Sequence, residues 1–98
     1  MDEKLKSVLA DRGATYGDFG DIALEAQARR SIDAERLTRN ASFRALSSAG
    51  QATVLEALGM IEHKIARALM GDVSHADTWL DIAGYATLIH DRITSGEK

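Results

Sequence analysis

The chain has 98 residues, and its 12 Lys and Arg against 15 Asp and Glu give a formal net charge of −3. It contains no cysteine, which excludes disulfides and thiolate metal sites, and no proline, which favours an all-α fold. The two signs of charge are interleaved, which argues against binding of duplex nucleic acid, and no apolar run is long enough for a signal peptide or a membrane span. We therefore expect one helical domain, residues 1–98, in a reducing cytoplasm.

The first predicted helix covers residues 2–12. Leu5, Val8 and Leu9 fall at helical spacing, and Gly13 follows as the expected stop. Three glycines among residues 13–20 then predict a structured turn with Tyr16 in its middle. Tyr16 is expected either to cap the helices or to contact a ligand.

The second predicted helix begins after Asp18, which is a suitable N-cap, and runs from Phe19 to about Leu37. Arg29 and Arg30 are expected on its solvated face. The pattern is irregular between residues 38 and 50, where one extra helical turn is expected.

The third predicted helix has the strongest pattern. Ser48 and Gln51 have the form of a capping box at its start, and Gly71 follows Met70 as its stop. The stripe expected to be buried consists of Val54, Leu58, Ile61, Ile65, Ala68 and Leu69.

The fourth predicted helix begins with the capping pattern of Ser74 and Asp77 and ends at Ser95 and Gly96. The residues expected on its core side are Trp79, Ile82, Ala86, Ile89 and Ile93. With no linker and no internal repeat, the sequence predicts four antiparallel helices in one domain.

The last two predicted helices also carry charged stripes opposite their apolar sides. On the third helix this stripe holds Glu56, Met60, His63 and Arg67, with Lys64 beside them. On the fourth it holds Asp77, Asp81, Gly84, Leu88 and Asp91. Because the connection between the two helices is short, Arg67 is expected near Asp77 or Asp81.

This arrangement of acidic and basic residues predicts a metal-assisted reaction on phosphate groups. Asp77 and Asp81 are one helical turn apart, so both carboxylates could share one magnesium ion, which often takes one or two carboxylates and completes its shell with water and phosphate oxygens. Lys64 and Arg67 suit phosphate oxygens. Acids that hold a metal and bases that hold phosphates are what metal-assisted cleavage of a phosphoanhydride requires.

A structural explanation of the same residues stands beside the chemical one. Asp77 in the first turn of a helix is favoured by the helix dipole alone, and Asp81 with Arg67 would make an ordinary ion pair between helices. His63 alone is weak grounds for a metal ligand.

Three segments carry a resemblance to a known family. RGATYGDF, HKIARALMGD and DTWLDIAGYATL together resemble a family of small phage and prophage domains, which is similar to the MazG-like all-α nucleoside triphosphate pyrophosphatases. The resemblance spans residues 12–88. It implies an antiparallel four-helix bundle that forms a dimer or tetramer and uses Mg²⁺, or Mn²⁺, to hydrolyse a nucleoside triphosphate to the monophosphate and pyrophosphate.

The resemblance also implies roles for single residues. Asp77 and Asp81 fit the later pair of metal-binding acids, although their spacing is one residue longer than usual. Glu56 fits one acid of the earlier pair, but Gly59 and Met60 stand where the second acid belongs.

Two functions are therefore expected. In the first, Asp77, Asp81 and Glu56 hold Mg²⁺ and act in catalysis, Lys64 and Arg67 bind phosphates, and Tyr16 contacts the base or sugar. In the second, the chain is a non-catalytic oligomeric module for nucleotide binding or protein interaction. Its Asp, Lys and Arg residues then form an ion-pair network that fixes the register of the helices.

Overall fold

The computed structural model describes residues 2–96, and every regular element in that range is a helix. The helices are α1 (Glu3–Tyr16), α2 (Phe19–Leu37), α3 (Ala41–Arg44), α4 (Ser48–Met70) and α5 (Ala76–Thr94). The all-α class is confirmed, and α3 is the extra turn expected between residues 38 and 50. Across residues 2–96, none of the helices combines the length and the apolar character that crossing a bilayer demands.

The longest helix, α4, lies in the middle of the fold. α2 packs antiparallel along one side, where Ile22 contacts the Ala66 region and Arg30 donates to the carbonyl oxygen of Gly59. α5 packs along the other side, where Lys64 meets Asp81. α2 and α5 each pack on α4, and these three helices are called the helix layer below.

The buried core of this layer is small. It consists of Ile22, Ala26, Ala57, Ala66 and Ala68, with Thr78 as the buried residue of α5. Because most of these side chains are alanines, the helices approach closely but bury little apolar area. Leu69, Trp79 and Ile93 were predicted to face the core and are instead about half exposed, a correction to the predicted stripes. The side chain of α5 that faces α4 here is that of Thr78, the residue before Trp79.

Two helix boundaries differ from the prediction. α1 continues through Gly13 to Tyr16, and its C-cap is Gly17, whose N–H donates to the carbonyl oxygen of Gly13. α4 is capped by Ser47, whose hydroxyl accepts from the N–H of Gly50, so the cap lies one residue before the predicted Ser48. Gln51 does not complete a box, because its amide donates to carbonyl oxygens of the preceding turn.

The start of α5 also differs. Its N-cap is His75, which makes no capping hydrogen bond through its side chain. Ser74 instead donates through its N–H and its hydroxyl to Asp72, so that pair stabilises the connection. The caps at Asp18 and Gly71 agree with the prediction.

The connection between α1 and α2 crosses the connection between α4 and α5, and the main chains of the two are in contact. These connections are called the two corners below. Gly17 has φ of 93°, and a side chain there would overlap the main-chain carbonyl of Met70. A side chain at Gly71 would overlap the main chain of Thr15 and Tyr16. The N–H of Asp72 donates to the carbonyl oxygen of Thr15 at 2.7 Å and closes the crossing. Only glycines allow the two corners to lie this close.

We expect Gly17→Ala and Gly71→Ala each to lower the free energy of unfolding by about 2 to 4 kcal/mol, because main-chain atoms would have to move and, at position 17, φ would be strained. Urea denaturation monitored by circular dichroism measures this loss. The matched control is Gly84→Ala on the open side of α5, where we expect a gain of about 0.5 to 1 kcal/mol. Equal effects at the three positions would contradict the crossing.

Candidate anion-binding site

The crossing places Tyr16 among positively charged groups. The guanidinium carbon of Arg67 lies 4.6 Å from the centre of the Tyr16 ring, and that of Arg12 lies 5.2 Å from it. The ring of His75 meets Tyr16 edge-on, with centroids 5.4 Å apart and the Tyr16 hydroxyl 3.5 Å from Nε2. Cation–π contacts of this kind hold a guanidinium in place while leaving its N–H groups available.

A cavity of about 350 Å³ opens beside Tyr16. Its lining residues are Leu9, Arg12, Gly13, Tyr16, Gly17, Asp18, Phe19, Ile22, His63 and Arg67. Two arginines face one carboxylate, that of Asp18, which already accepts a hydrogen bond from the N–H of Asp21 as the cap of α2. The balance of charge in the cavity therefore favours an anion.

His63 reports the same electrostatic environment. Burial lowers the pKa of its imidazole below the usual 6.5, and the positive charges of Arg67, Arg30 and Lys64 lower it further. His63 is therefore mostly neutral at pH 7. It adds a hydrogen-bonding group to the cavity, and its pKa is sensitive to any negative charge that enters.

The exposed ring of Phe19 lies at the edge of this cavity. Phe19 is the first residue of α2, and 78% of its surface is accessible. An exposed aromatic ring beside a cationic cavity is suited to stacking on a planar group such as a nucleobase.

The structure brings together only part of the predicted acid and base set. Lys64 Nζ lies 3.0 Å from Asp81 Oδ2, with the Lys64 side chain 13% and the Asp81 side chain 49% exposed. Arg67 lies over Tyr16 instead of beside an aspartate. Asp77 and Glu56 are exposed, Asp77 in the first turn of α5 and Glu56 two turns before Lys64 on α4.

The predicted Mg²⁺ ligands are not gathered into one group within the described residues. Within residues 2–96, no three His, Asp or Glu side chains are grouped closely enough to hold one. The ammonium group of Lys64 also stands beside the Asp81 oxygen at the place a cation would need. The predicted Mg²⁺ ligands Asp77, Asp81 and Glu56 therefore stay a prediction.

A second charged cluster lies between α2 and α4. Arg29 contacts Glu25 at 3.0 Å and Glu62 at 3.7 Å, and Asp33 lies beside Glu62. The Nε of Arg29 is close to Glu25 but is not aligned for a hydrogen bond, and Asp33 Oδ2 is buried without one. Arg29 and Arg30 thus contact α4, so their predicted place on a solvated face was wrong.

Sequence reasoning missed the roles of Arg12, Phe19 and His75 in this region. Arg12 is four residues before Tyr16, one helical turn away, and this spacing was hidden because the first helix was ended at Gly13. No local pattern indicates His75, because its contact with Tyr16 depends on the crossing of the two corners.

A larger cavity of about 570 Å³ lies at the other end of the layer. Its apolar lining comes mainly from Leu37, Phe43, Leu46, Val54, Ile89 and Ile93. None of the predicted site residues lines it, and it has no cluster of charges comparable to that around Tyr16. We therefore place the candidate site at the smaller cavity.

Comparison of the chain with known protein families, with curated proteins and with solved structures finds no match.

The cluster between α2 and α4 makes stability depend on pH. Burial raises the pKa of Glu62 above 4.5, and the neighbouring Asp33 raises it further despite Arg29. Folding therefore favours the protonated form of Glu62 relative to the unfolded chain. The stability that this contributes is fully present below pH 4.5 and is lost as the pH rises through the pKa of Glu62 in the folded protein. We expect Glu62→Gln to be more stable than the parent chain at pH 7, with the difference closing towards pH 4.5.

Thermal unfolding at several pH values measures this difference. Glu35→Gln, at an exposed carboxylate paired with Arg36 and Arg39, is the control and should show no gain. A loss of stability in Glu62→Gln at pH 7 would mean that the attraction of Arg29 outweighs burial and Asp33.

Proposed function

We propose that this protein binds a nucleoside triphosphate or a similar nucleotide, with the phosphates in the cavity beside Tyr16. The observation that carries the proposal is the position of Arg12 and Arg67 over one aromatic ring at the wall of that cavity. Its volume of about 350 Å³ is in the range of small-molecule sites. Arginine binds phosphate oxygens through paired donors, which favours phosphate over a simple halide.

Tyr16 and Phe19 have different roles in this proposal. The Tyr16 ring has a guanidinium over it from each of two helices, so its role is to position Arg12 and Arg67, and its hydroxyl is directed to His75. Phe19 is the ring left free to stack on a base. Contact of Tyr16 with the base or sugar was expected, and in this proposal Phe19 takes the base.

Hydrolysis to the monophosphate and pyrophosphate, with Mg²⁺ on Asp77, Asp81 and Glu56, stays a prediction from the MazG-like resemblance. It needs Lys64 to exchange Asp81 for a phosphate oxygen. The ion pair between Lys64 and Asp81 favours a second candidate, a non-catalytic module in which this pair fixes the register of α4 and α5.

We expect Arg67→Gln and Arg12→Gln each to weaken binding of a nucleoside triphosphate about tenfold to a hundredfold, because each removes a charge-assisted hydrogen bond of about 1.5 to 3 kcal/mol. Isothermal titration calorimetry with and without Mg²⁺ measures the affinity. The control is Arg39→Gln, which removes the same charge from the exposed turn after α2. Equal affinity in all four proteins, or no binding at all, would contradict the proposal.

A further variant, Asp81→Asn, separates binding from catalysis. If the hydrolase prediction holds, Asp81→Asn keeps nucleotide affinity and abolishes Mg²⁺-dependent release of pyrophosphate. If Asp81 acts only in the ion pair, no protein releases pyrophosphate and Asp81→Asn lowers the melting temperature. The loss should be modest, because half of the Asp81 side chain is exposed and solvent screens the pair.

A further inference from the structure

The larger cavity, at the end of the helix layer away from the candidate anion site, is called the apolar cavity below. Four helices contribute half-buried side chains to its wall, namely Leu37 at the end of α2, Phe43 on α3, Val54 on α4 and Ile89 on α5. Its volume of about 570 Å³ is in the range of small-molecule sites. Val54 and Arg67 are 13 residues apart, about 20 Å along α4, so the two cavities are separate.

Hydrogen bonds fix the wall that α3 provides. The side-chain oxygen of Asn40 accepts from the N–H of Phe43 at 2.9 Å and from the hydroxyl of Ser42 at 2.7 Å. The amide of Gln51, on α4, donates to the carbonyl oxygens of Phe43 and Leu46 at 3.2 and 3.4 Å. These bonds hold α3 against the start of α4, so the apolar cavity is formed before any ligand arrives.

The size of the apolar cavity favours a small molecule over a protein segment. Ala49 and Gly50 line it at the start of α4, where their small size leaves the space open. A helix is about 10 Å across and rises 5.4 Å per turn, so this volume holds little more than one turn. A docked helix uses anchors spread over at least two turns, which would not fit.

The charges around the apolar cavity indicate which kind of small molecule fits. Of the described residues that line it, Arg92 is the charged one and none is acidic. The charged residues next in sequence to the lining residues are Arg36, Arg39, Arg44 and Asp91. Arg36 and Arg39 share a single carboxylate, that of Glu35. Positive charge is therefore in excess at the rim and favours a ligand with an anionic group.

We infer that the apolar cavity binds a free medium-chain carboxylic acid, with its alkyl chain in the cavity and its carboxylate at Arg92. Removal of the alkyl chain from water supplies the affinity, and the paired donors of a guanidinium fix the carboxylate at the rim. This inference is independent of nucleotide binding, because none of its residues lines the cavity beside Tyr16.

Isothermal titration calorimetry with octanoate, and with octanol as the uncharged ligand of the same chain length, tests the inference. We expect octanoate to bind at least about tenfold more tightly than octanol, and Arg92→Gln to remove this preference. Ala49→Trp should weaken binding of both ligands at least about tenfold, because the indole ring occupies the space of the alkyl chain.

Ala83→Trp is the matched control. It places the same ring at an exposed position of α5 that does not line the apolar cavity, so both affinities should stay unchanged. Circular dichroism shows whether each variant is helical. Absence of octanoate binding, equal affinity for octanoate and octanol, or an equal loss in Ala49→Trp and Ala83→Trp would overturn the inference.

Discussion

The main-chain contact between the two corners is the constraint on which the candidate site depends. The N–H of Asp72 donates to the carbonyl oxygen of Thr15, and Gly17 and Gly71 let the chains approach to that distance. The contact fixes the C-terminal end of α1, which has no buried residue of its own, against the end of α4. Tyr16 is held there between arginines from both helices. Without this crossing, Arg12 and Arg67 would belong to separate surfaces.

The middle helix, α4, carries cationic residues on one side and mostly apolar residues on the other. One side carries His63, Lys64 and Arg67, which face the cavity and the ion pair with Asp81. The other carries Glu62 between large apolar residues. A single helix can do this because residues two positions apart point to opposite sides. The cationic side suits an anionic ligand.

Local signals in the sequence predicted much of the fold. Asp18 and Gly71 bound their helices as expected, because a short polar cap and a helix-ending glycine act through neighbouring residues. Gly13 and Gly17 are equal candidates for the end of α1 in the sequence, and only contact with Met70 selects Gly17. The helical period also could not tell that Trp79 and Leu69 are about half exposed in the fold.

The site was predicted less completely than the fold, because its partners come from distant parts of the chain. Arg67 and Tyr16 were both expected near a ligand, and the structure places them together in the wall of one cavity. Arg67 was expected to pair with an aspartate. This was wrong, because Asp81 forms its ion pair with Lys64. Lys64 and Arg67 are three residues apart on α4, and the packing of α4 against α5 decides which of them meets the acid.

The most direct test of the central claim is the pKa of His63 measured by NMR with and without a nucleoside triphosphate. Burial and nearby cations hold this pKa below 6.5 in the free protein, and phosphates bound at Arg12 and Arg67 should raise it, while the resonances of His90 at the far end of α5 should not respond. An upward shift that Arg67→Gln removes is the predicted result. An unchanged titration of His63 at saturating nucleotide would contradict the account.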